Sequence, residues 1–376
     1  HPTMAMNPTS NLPRRACHIP RLTLFLTALI SNLDAQPPDP LAAGFQNPPA
    51  SARPWVYWFW NNGNVTEEGL DADLAAMKQA GIGGVIHMDV LERHAPPAGD
   101  ADYMGERWQK LMARAISKAR ELGIEINLTN GPGWCGSSGP WITPELSMQT
   151  LVSSTTEAKG GAEVVLAKPG LPELPRDEFS SKLVREPFYQ DIAVLAWPKR
   201  DGAVSLAEVL DLTKQTDEDG RLKTPLPAGE WIVRRIGHAS TGSSTRPPVK
   251  GGNGLEADKF SKEAITVHYQ KVIGMFAKEF PMSRNGGLVA THVDSWEVGS
   301  QNWTRGFSDE FRKRRGYDLT KYLPLVAASD PAMVIESKEE TARFRWDFSM
   351  TCSELLSENY IGALVELSHR NDLRFT

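Results

Sequence analysis

Hydrophobic residues along the chain alternate between short continuous runs and longer stretches in which apolar positions recur every three to four residues. A continuous apolar run is typical of a strand that is buried on both faces, as in a parallel sheet. The helical spacing is clearest over 108–122, and Gly123 then ends that helix. The apolar runs cover 55–60, 84–89, 124–128, 287–294 and 373–376. Strands that alternate with helices in this way predict an α/β fold with a parallel sheet.

The apolar period changes from helical to two between 147 and 243, where turn residues such as Gly160 and Gly161 separate short strands. This change predicts a β-rich subdomain inserted into the α/β pattern. No GxGxxG motif follows the first strand, so a dinucleotide-binding sheet lacks its usual sign. An open doubly wound sheet is still allowed, but a closed barrel removes both sheet edges. A complete barrel takes about 250 residues for eight units, and the leader and the insertion use roughly 150 residues of this chain. We therefore predict a partial (β/α)8 TIM-like barrel of about the first four to five βα units.

The start of the chain is typical of a secretory signal. Arg14 and Arg15 precede a short apolar run at 22–30, and Ala35 is a small residue at the exit. A buried N-terminal helix is the alternative, but the run is shorter than the roughly 20 residues of a spanning helix. We therefore predict a secreted or periplasmic protein without stable membrane insertion. The predicted segments are a signal peptide over 1–35, a linker over 36–54, the first barrel part over 55–146, the β-rich insertion over 147–258 and a truncated barrel continuation over 259–376.

The overall charge argues against nucleic acid as a partner. Lys and Arg number 41 against 46 Asp and Glu, which leaves a net charge of −5. The basic run at 312–315 is short and isolated, so a solvated helix face explains it. A mildly acidic chain offers no general footprint for a polyanion. No cluster of residues has zinc or EF-hand spacing, so any metal ligands stay unknown at this point.

Polar and aromatic residues collect where the predicted strands end, which is where barrel enzymes place their active sites. Acids, amides and indoles together suit a sugar, because hydroxyl groups need polar partners and sugar rings stack on aromatic faces. Each candidate also has a structural alternative: a hydrogen-bonded His–Asp pair, a turn asparagine or a packed tryptophan. The candidates for substrate binding are His87, Asp89, Asn130, Trp134, His292, Asp294 and Trp296.

Glu297 is the best candidate for a catalytic group. It follows the fourth apolar run and stands beside Trp296, and a carboxyl that is desolvated by an indole suits a general acid. Glycoside hydrolysis usually takes two carboxylates, of which one donates a proton to the leaving oxygen. The alternative is that Glu297 is an ordinary acid of a loop.

Four sequence pieces resemble glycoside hydrolase family 106, the α-L-rhamnosidases. They lie in this order at 53–61, 130–134, 254–259 and 294–297, and the last is followed by 302–304. The resemblance implies single-displacement hydrolysis of terminal α-L-rhamnosides on plant or bacterial glycans, with inversion. It also implies that Glu297 is the general acid, that Glu256 belongs to the substrate site and that a calcium ion assists sugar binding.

The resemblance also implies that the chain is an N-terminal fragment. Proteins of the family are much longer, and their general base comes from a later strand, which would lie beyond Thr376. The fragment alone is then expected to be inactive. Two alternatives remain open: a glycosidase of another barrel family, and a non-catalytic carbohydrate-binding remnant. In each case the partner is an oligosaccharide or polysaccharide.

Overall fold

The computed structural model describes residues 39–92, 97–176, 187–281, 285–328 and 332–376. The predicted signal peptide and the first residues of the predicted linker lie outside these ranges. The chain divides into two compact units, His1–Ser51 and Ala52–Thr376. In the first unit, the described part of the predicted linker contains a short helix, α1 (Pro40–Gln46), and none of its residues is buried.

The second unit contains the strands. They are β1 (Trp55–Asn61), β2 (Gly84–Val90), β3 (Glu125–Thr129), β4 (Ser138–Gly139), β5 (Gln149–Lys159), β6 (Tyr189–Pro198), β7 (Leu210–Asp211), β8 (Glu230–Ser240), β9 (Leu255–Glu256), β10 (Gly287–His292) and β11 (Arg374–Phe375). The main sheet is parallel and has the order β1-β2-β3-β10-β11. The prediction of an α/β fold with a parallel sheet is therefore confirmed, whereas closure into a barrel stays a prediction.

The remaining helices follow the parallel strands. They are α2 (Glu67–Gln79), α3 (Glu106–Leu122), α4 (Lys262–Tyr269), α5 (Met275–Glu279), α6 (Phe307–Arg315), α7 (Lys338–Leu356) and α8 (Ala363–Arg370). π-helical turns join α4 to α5 and α7 to α8. Local sequence sets the ends: the Thr66 hydroxyl accepts from the Gly69 N–H at 3.1 Å at the start of α2, and Gly123 ends α3 in the left-handed conformation.

The two faces of the main sheet are different. On one face, which we call the helix face, Trp58 and Trp60 of β1 pack against Trp108 and the rest of the buried side of α3. On the other, which we call the open face, Tyr57 and Phe59 are stacked on each other and remain 48% and 42% exposed. The prediction that β1 is buried on both faces is therefore wrong for the described structure, because no described element covers the open face of this strand.

The region that was predicted to be β-rich contains an antiparallel sheet with the order β5-β8-β6-β7. One face of this sheet shares a hydrophobic core with α6 and α7, in which Leu151 and Leu195 lie in the same cluster as Phe307, Phe311 and Phe344. This shared core explains why 52–376 is one compact unit. The boundaries of a separate inserted subdomain stay a prediction.

Candidate active site

The carboxyl ends of the parallel strands bring the loops after β3 and β10 together. The Asn130 N–H donates to the His292 carbonyl at 2.8 Å, and the Ser295 N–H donates to the Trp134 carbonyl at 3.3 Å. Trp134 is half-buried and meets Phe59 of the open face edge-on, with 6.1 Å between the ring centroids. The structure therefore brings Asn130, Trp134, His292 and the 294–297 segment to one edge, as the strand pattern predicts.

The loop after β3 has its shape because of its glycines. Gly133 has a φ of 69°, and a Cβ there would stand 2.3 Å from the Arg246 carbonyl oxygen. Asn130 is fully buried, and its amide donates to the Gly136 carbonyl at 3.2 Å. The backbone carbonyl of Asn130 accepts from His268 Nε2. The other ring nitrogen of His268, Nδ1, accepts from the Trp141 indole at 3.1 Å. Asn130 thus holds the turn together, while its side-chain oxygen has no hydrogen-bond partner among the described residues.

His292 faces the open side of the sheet. Its Nδ1 lies 2.9 Å from the Thr376 hydroxyl, and its Nε2 lies 3.9 Å from Asp294 Oδ1. Burial lowers the pKa of His292 from its ordinary value, and the charge of Asp294 opposes this shift only in part. The imidazole is therefore neutral at neutral pH, next to a carboxylate that reaches solvent.

Glu297 lies in an exposed loop whose backbone contacts buried residues of the chain. Its N–H donates to the Cys135 sulfur at 3.4 Å, and its carboxylate accepts from the Ser295 hydroxyl at 3.1 Å. The next residue, Val298, is buried with Cys135 and Met148. The carboxylate itself is exposed. The desolvation that the sequence suggested is therefore not provided by the described part of the chain, and Trp296 instead donates its indole N–H to its own loop at Gly299.

A buried ion pair lies beneath this loop. Lys259 Nζ is 2.9 Å from Glu256 Oε2, and both side chains are at most 1% exposed. Burial raises the pKa of Glu256, but the charge of Lys259 and the hydrogen bond from Ser137 outweigh it and hold this pKa below its ordinary value. Lys259 Nζ also lies 4.9 Å from the centroid of the Trp296 ring. Glu256 is therefore a partner of Lys259, and its predicted contact with substrate is indirect at most in this geometry.

A cavity of about 180 Å³ separates the loop after β10 from the turn between α7 and α8. Its lining includes Cys135, Lys259, Asp294, Trp296, Tyr360 and Ile361. Lys259 thus lines the cavity and contacts both the Trp296 ring and the buried carboxylate of Glu256.

His87 and Asp89 lie on the helix face, away from the open face. Both oxygens of Asp89 accept from the Trp108 indole, at 3.0 and 3.2 Å, and His87 Nε2 is 3.4 Å from Asp89. Burial raises the pKa of Asp89 to about 8 and lowers the pKa of His87 to about 3, so both groups favour their neutral forms. The geometry favours the structural alternative for this pair, and we do not propose sugar contacts for it.

Replacing Asp89 by Asn should flatten the pH dependence of stability. Because burial raises the pKa of Asp89 from 3.8 to about 8, the folded chain keeps a proton that the unfolded chain releases. This contribution to stability is complete below pH 3.8 and is lost as the pH rises towards 8. The free energy of unfolding of Asp89→Asn, relative to that of the wild type, should rise by on the order of 1 kcal/mol per pH unit between pH 5 and 7. Urea unfolding at the two pH values measures this gain.

Asp73 is the matched control, since its carboxylate also accepts from an indole, that of Trp58 at 3.0 Å, but is exposed. Asp73→Asn should leave the pH slope unchanged. An Asp89→Asn variant with the wild-type slope would show that this carboxyl is ionised in the fold.

Sequence reasoning gave no role to Asp258, which lies close to the site. Asp258 is buried two residues from Glu256, and it accepts from Thr304 at 2.5 Å and from the Phe260 N–H at 2.8 Å. Burial raises its pKa to about 6 in spite of these hydrogen bonds. Asp258 therefore ties the 254–259 piece to the 302–304 piece. The signal was the presence of both pieces in the resemblance, but sequence alone does not pair them.

Neither a metal centre nor a membrane span stands out in the described ranges. No three His, Cys, Asp or Glu side chains of this part of the chain come close enough to hold a metal ion. Calcium also takes carbonyl and amide oxygens, so it stays a prediction that rests on the family resemblance alone. Within the same residues, no helix is both long and apolar enough to cross a membrane.

An acid-bearing loop at the carboxyl edge of an α/β sheet, with an indole and polar side chains around it, is compatible with a glycoside hydrolase. Comparison with known families agrees and is more specific. The family model of glycoside hydrolase family 106, alpha-L-rhamnosidase, matches residues 46–203 and 174–376. The chain belongs to this family.

Two relatives of the chain are much longer than the chain itself. A protein of Formosa agariphila with the name "Putative beta-glucuronidase" is 36% identical over 374 residues, which cover 89% of this chain and 30% of that protein. The solved structure of a rhamnosidase from Novosphingobium sp. PP1Y is similar with a TM-score of 0.73 and 22% identity, over 90% of this chain and 47% of that one. The chain thus spans less than half the length of each of these two relatives, and the second likeness shows the fold.

Proposed function

We propose that this chain carries the general-acid half of the active site of an exported, inverting α-L-rhamnosidase. The observation that supports it best is the position of Glu297. Its carboxylate is exposed at the carboxyl edge of the parallel sheet, while its backbone is fixed by Cys135 and by the burial of Val298. A general acid needs such a combination, because it must reach the leaving oxygen in one geometry.

In the proposed reaction, Glu297 donates its proton to the glycosidic oxygen as the bond to the sugar breaks. A water on the opposite face of the ring adds to the anomeric carbon and gives its proton to a second carboxylate, so the configuration inverts. This second carboxylate would lie beyond Thr376, on a later strand of a barrel that the five parallel strands begin. His292, Asp294 and Trp134 would contact the sugar from the open face and its edge.

A β-glucuronidase activity is the second candidate, because the Formosa relative carries that name. A glucuronide has a carboxylate, and its recognition calls for a cation whose charge is not already compensated. Lys259 is the buried cation at the cavity, but Glu256 neutralises it at 2.9 Å. This pairing counts against Lys259 as the partner of a glucuronate carboxylate, and the family match to alpha-L-rhamnosidase is the observation that favours the rhamnoside.

Hydrolysis of a set of nitrophenyl glycosides by the full-length protein tests the proposal. The α-L-rhamnoside should be cleaved with a kcat/KM at least a hundred times that of the β-D-glucuronide and the β-D-galactoside, and NMR should show the β-anomer of rhamnose as the first product. Stronger cleavage of the glucuronide would favour the second candidate. Cleavage of the galactoside alone would favour another barrel family, and binding of rhamnosides without cleavage would favour a carbohydrate-binding remnant.

A further inference from the structure

Three polar side chains from three different strand regions meet on the open face next to the proposed acid loop. Asn127 of β3 and His292 of β10 both contact the hydroxyl of Thr376, which follows β11. The Asn127 Nδ2 lies 2.7 Å from Thr376 Oγ1, and the His292 Nδ1 lies 2.9 Å from the same oxygen. We call this set the Asn127–Thr376–His292 relay.

The hydrogen-bond partners and the nearby charge around His292 favour one of its two neutral tautomers. The amide Nδ2 of Asn127 can only donate, so the Thr376 oxygen is its acceptor. The hydroxyl has one proton, and among the described residues its other neighbour at hydrogen-bond distance is His292 Nδ1. The hydroxyl oxygen has a second lone pair and could also accept from Nδ1–H, but the carboxylate of Asp294, 3.9 Å from Nε2, favours the ring proton on Nε2. The Thr376 proton then points to the unprotonated Nδ1 of a neutral ring.

His292 Nε2 is buried and has no hydrogen-bond partner among the described residues. Asp294 is its nearest charged neighbour, but 3.9 Å is too long for a hydrogen bond. A buried donor without a partner is costly to the free protein, and a ligand oxygen would relieve that cost. The unsatisfied N–H therefore lies beside the edge where the sugar is proposed to bind.

We propose that Asn127 and Thr376 are positioning residues, which hold His292 in the Nε2–H tautomer so that it donates a hydrogen bond to a hydroxyl of the sugar. The tautomer rests on the contacts of His292 with Thr376 and Asp294. The sugar contact rests on the proposed function, so the two parts have separate tests.

Nitrogen NMR of the histidine-labelled full chain tests the tautomer. The signal of His292, identified by its loss in His292→Gln, should show a protonated Nε2 and an unprotonated Nδ1 at neutral pH. Thr376→Ser should keep this pattern, and Thr376→Val should weaken it because the donor to Nδ1 is removed. Asn127→Asp should give the opposite tautomer, with Nδ1 protonated. The Thr376 hydroxyl would then donate its hydrogen bond to the new carboxylate, and its oxygen would accept from His292 Nδ1–H. A protonated Nδ1 in the wild type would overturn the assignment.

Kinetics of the full-length protein on α-L-rhamnosides tests the sugar contact. Thr376→Val should lower kcat/KM about tenfold, and Thr376→Ser should restore most of it. A set of rhamnosides that each lack one hydroxyl identifies the contacted group. For one of them, the kcat/KM of the wild type should be about tenfold lower than for the complete rhamnoside. Thr376→Val should not lower the kcat/KM for that substrate any further. Thr150→Val, on β5 of the antiparallel sheet, is the matched control and should leave kcat/KM unchanged.

The outcomes separate the two proposals. Unchanged kcat/KM in Thr376→Val, with rhamnosides still cleaved by the wild type, would overturn the sugar contact of His292. No cleavage of any rhamnoside by the wild type would overturn the proposed function, while the NMR measurement would still decide the tautomer.

Discussion

Glu297→Gln should reduce the turnover of α-L-rhamnosides with poor leaving groups by about 10²–10⁴-fold in the full-length protein. The amide has nearly the shape of the acid, but it cannot give a proton to the leaving oxygen. The loss should be much smaller for a dinitrophenyl rhamnoside, because that leaving group departs without protonation. The measurement is kcat for the two substrates, with substrate binding followed through KM.

Glu68→Gln is the matched control, since Glu68 is an exposed acid in the first turn of α2 and lies outside the acid loop. It should leave both rates unchanged. Equal losses of Glu297→Gln on both substrates would assign Glu297 a role in binding or structure instead. Full activity of the variant on the poor substrate would remove Glu297 from the mechanism.

Lys259→Met should destabilise the fold by about 3–5 kcal/mol, because it leaves the carboxylate of Glu256 buried without its partner. The side chains of both residues are at most 1% exposed, so water cannot replace the lost ammonium group. One oxygen of Glu256 already has no hydrogen-bond partner among the described residues, which adds to the cost of losing Lys259. Thermal and urea unfolding measure the change.

Two further variants separate a buried charge from a lost contact. Glu256→Gln combined with Lys259→Met should recover a large part of the lost stability, because the double variant buries no charge. Lys262→Met removes a lysine that is 52% exposed and paired with Glu366, and it should cost no more than about 1 kcal/mol. If the double variant were as unstable as the sum of its single variants, the loss would come from packing and not from the unpaired carboxylate.

The buried pair and the acid loop are linked through one aromatic ring. Lys259 Nζ lies against the ring of Trp296, and Glu297 is the residue that follows Trp296 in the sequence. The buried pair therefore lies directly against the loop that contains the proposed acid.

Local pattern was enough to predict the α/β class and the position of the candidate acid. Hydrophobic period is a property of neighbouring residues, so the alternation of strands and helices and the ends of β3 and β10 could be predicted from the chain itself. The side chains at the ends of parallel strands then meet at one edge, as Asn130 and His292 do at 2.8 Å through their backbones.

The direction in which each polar side chain points could not be predicted in this way. Period two places His87 and Asp89 on the same face of β2, but it does not say which face. The packing of Trp108 from α3 decides this, since its indole takes both oxygens of Asp89 on the helix face. The same alternation leaves His292 on the open face, where the proposed substrate site lies.

The sequence by itself determined the class of fold, the family and the loop that carries Glu297, because these depend on local period and on short motifs. Only the tertiary structure decided which distant groups complete them. Lys259 and Trp296 meet across 37 positions, and Asn127 and Thr376 across 249, a separation over which no pattern along the chain carries information. Burial also sets the charge states of His87 and Asp89, because desolvation depends on everything that packs around a side chain and not on its neighbours in sequence.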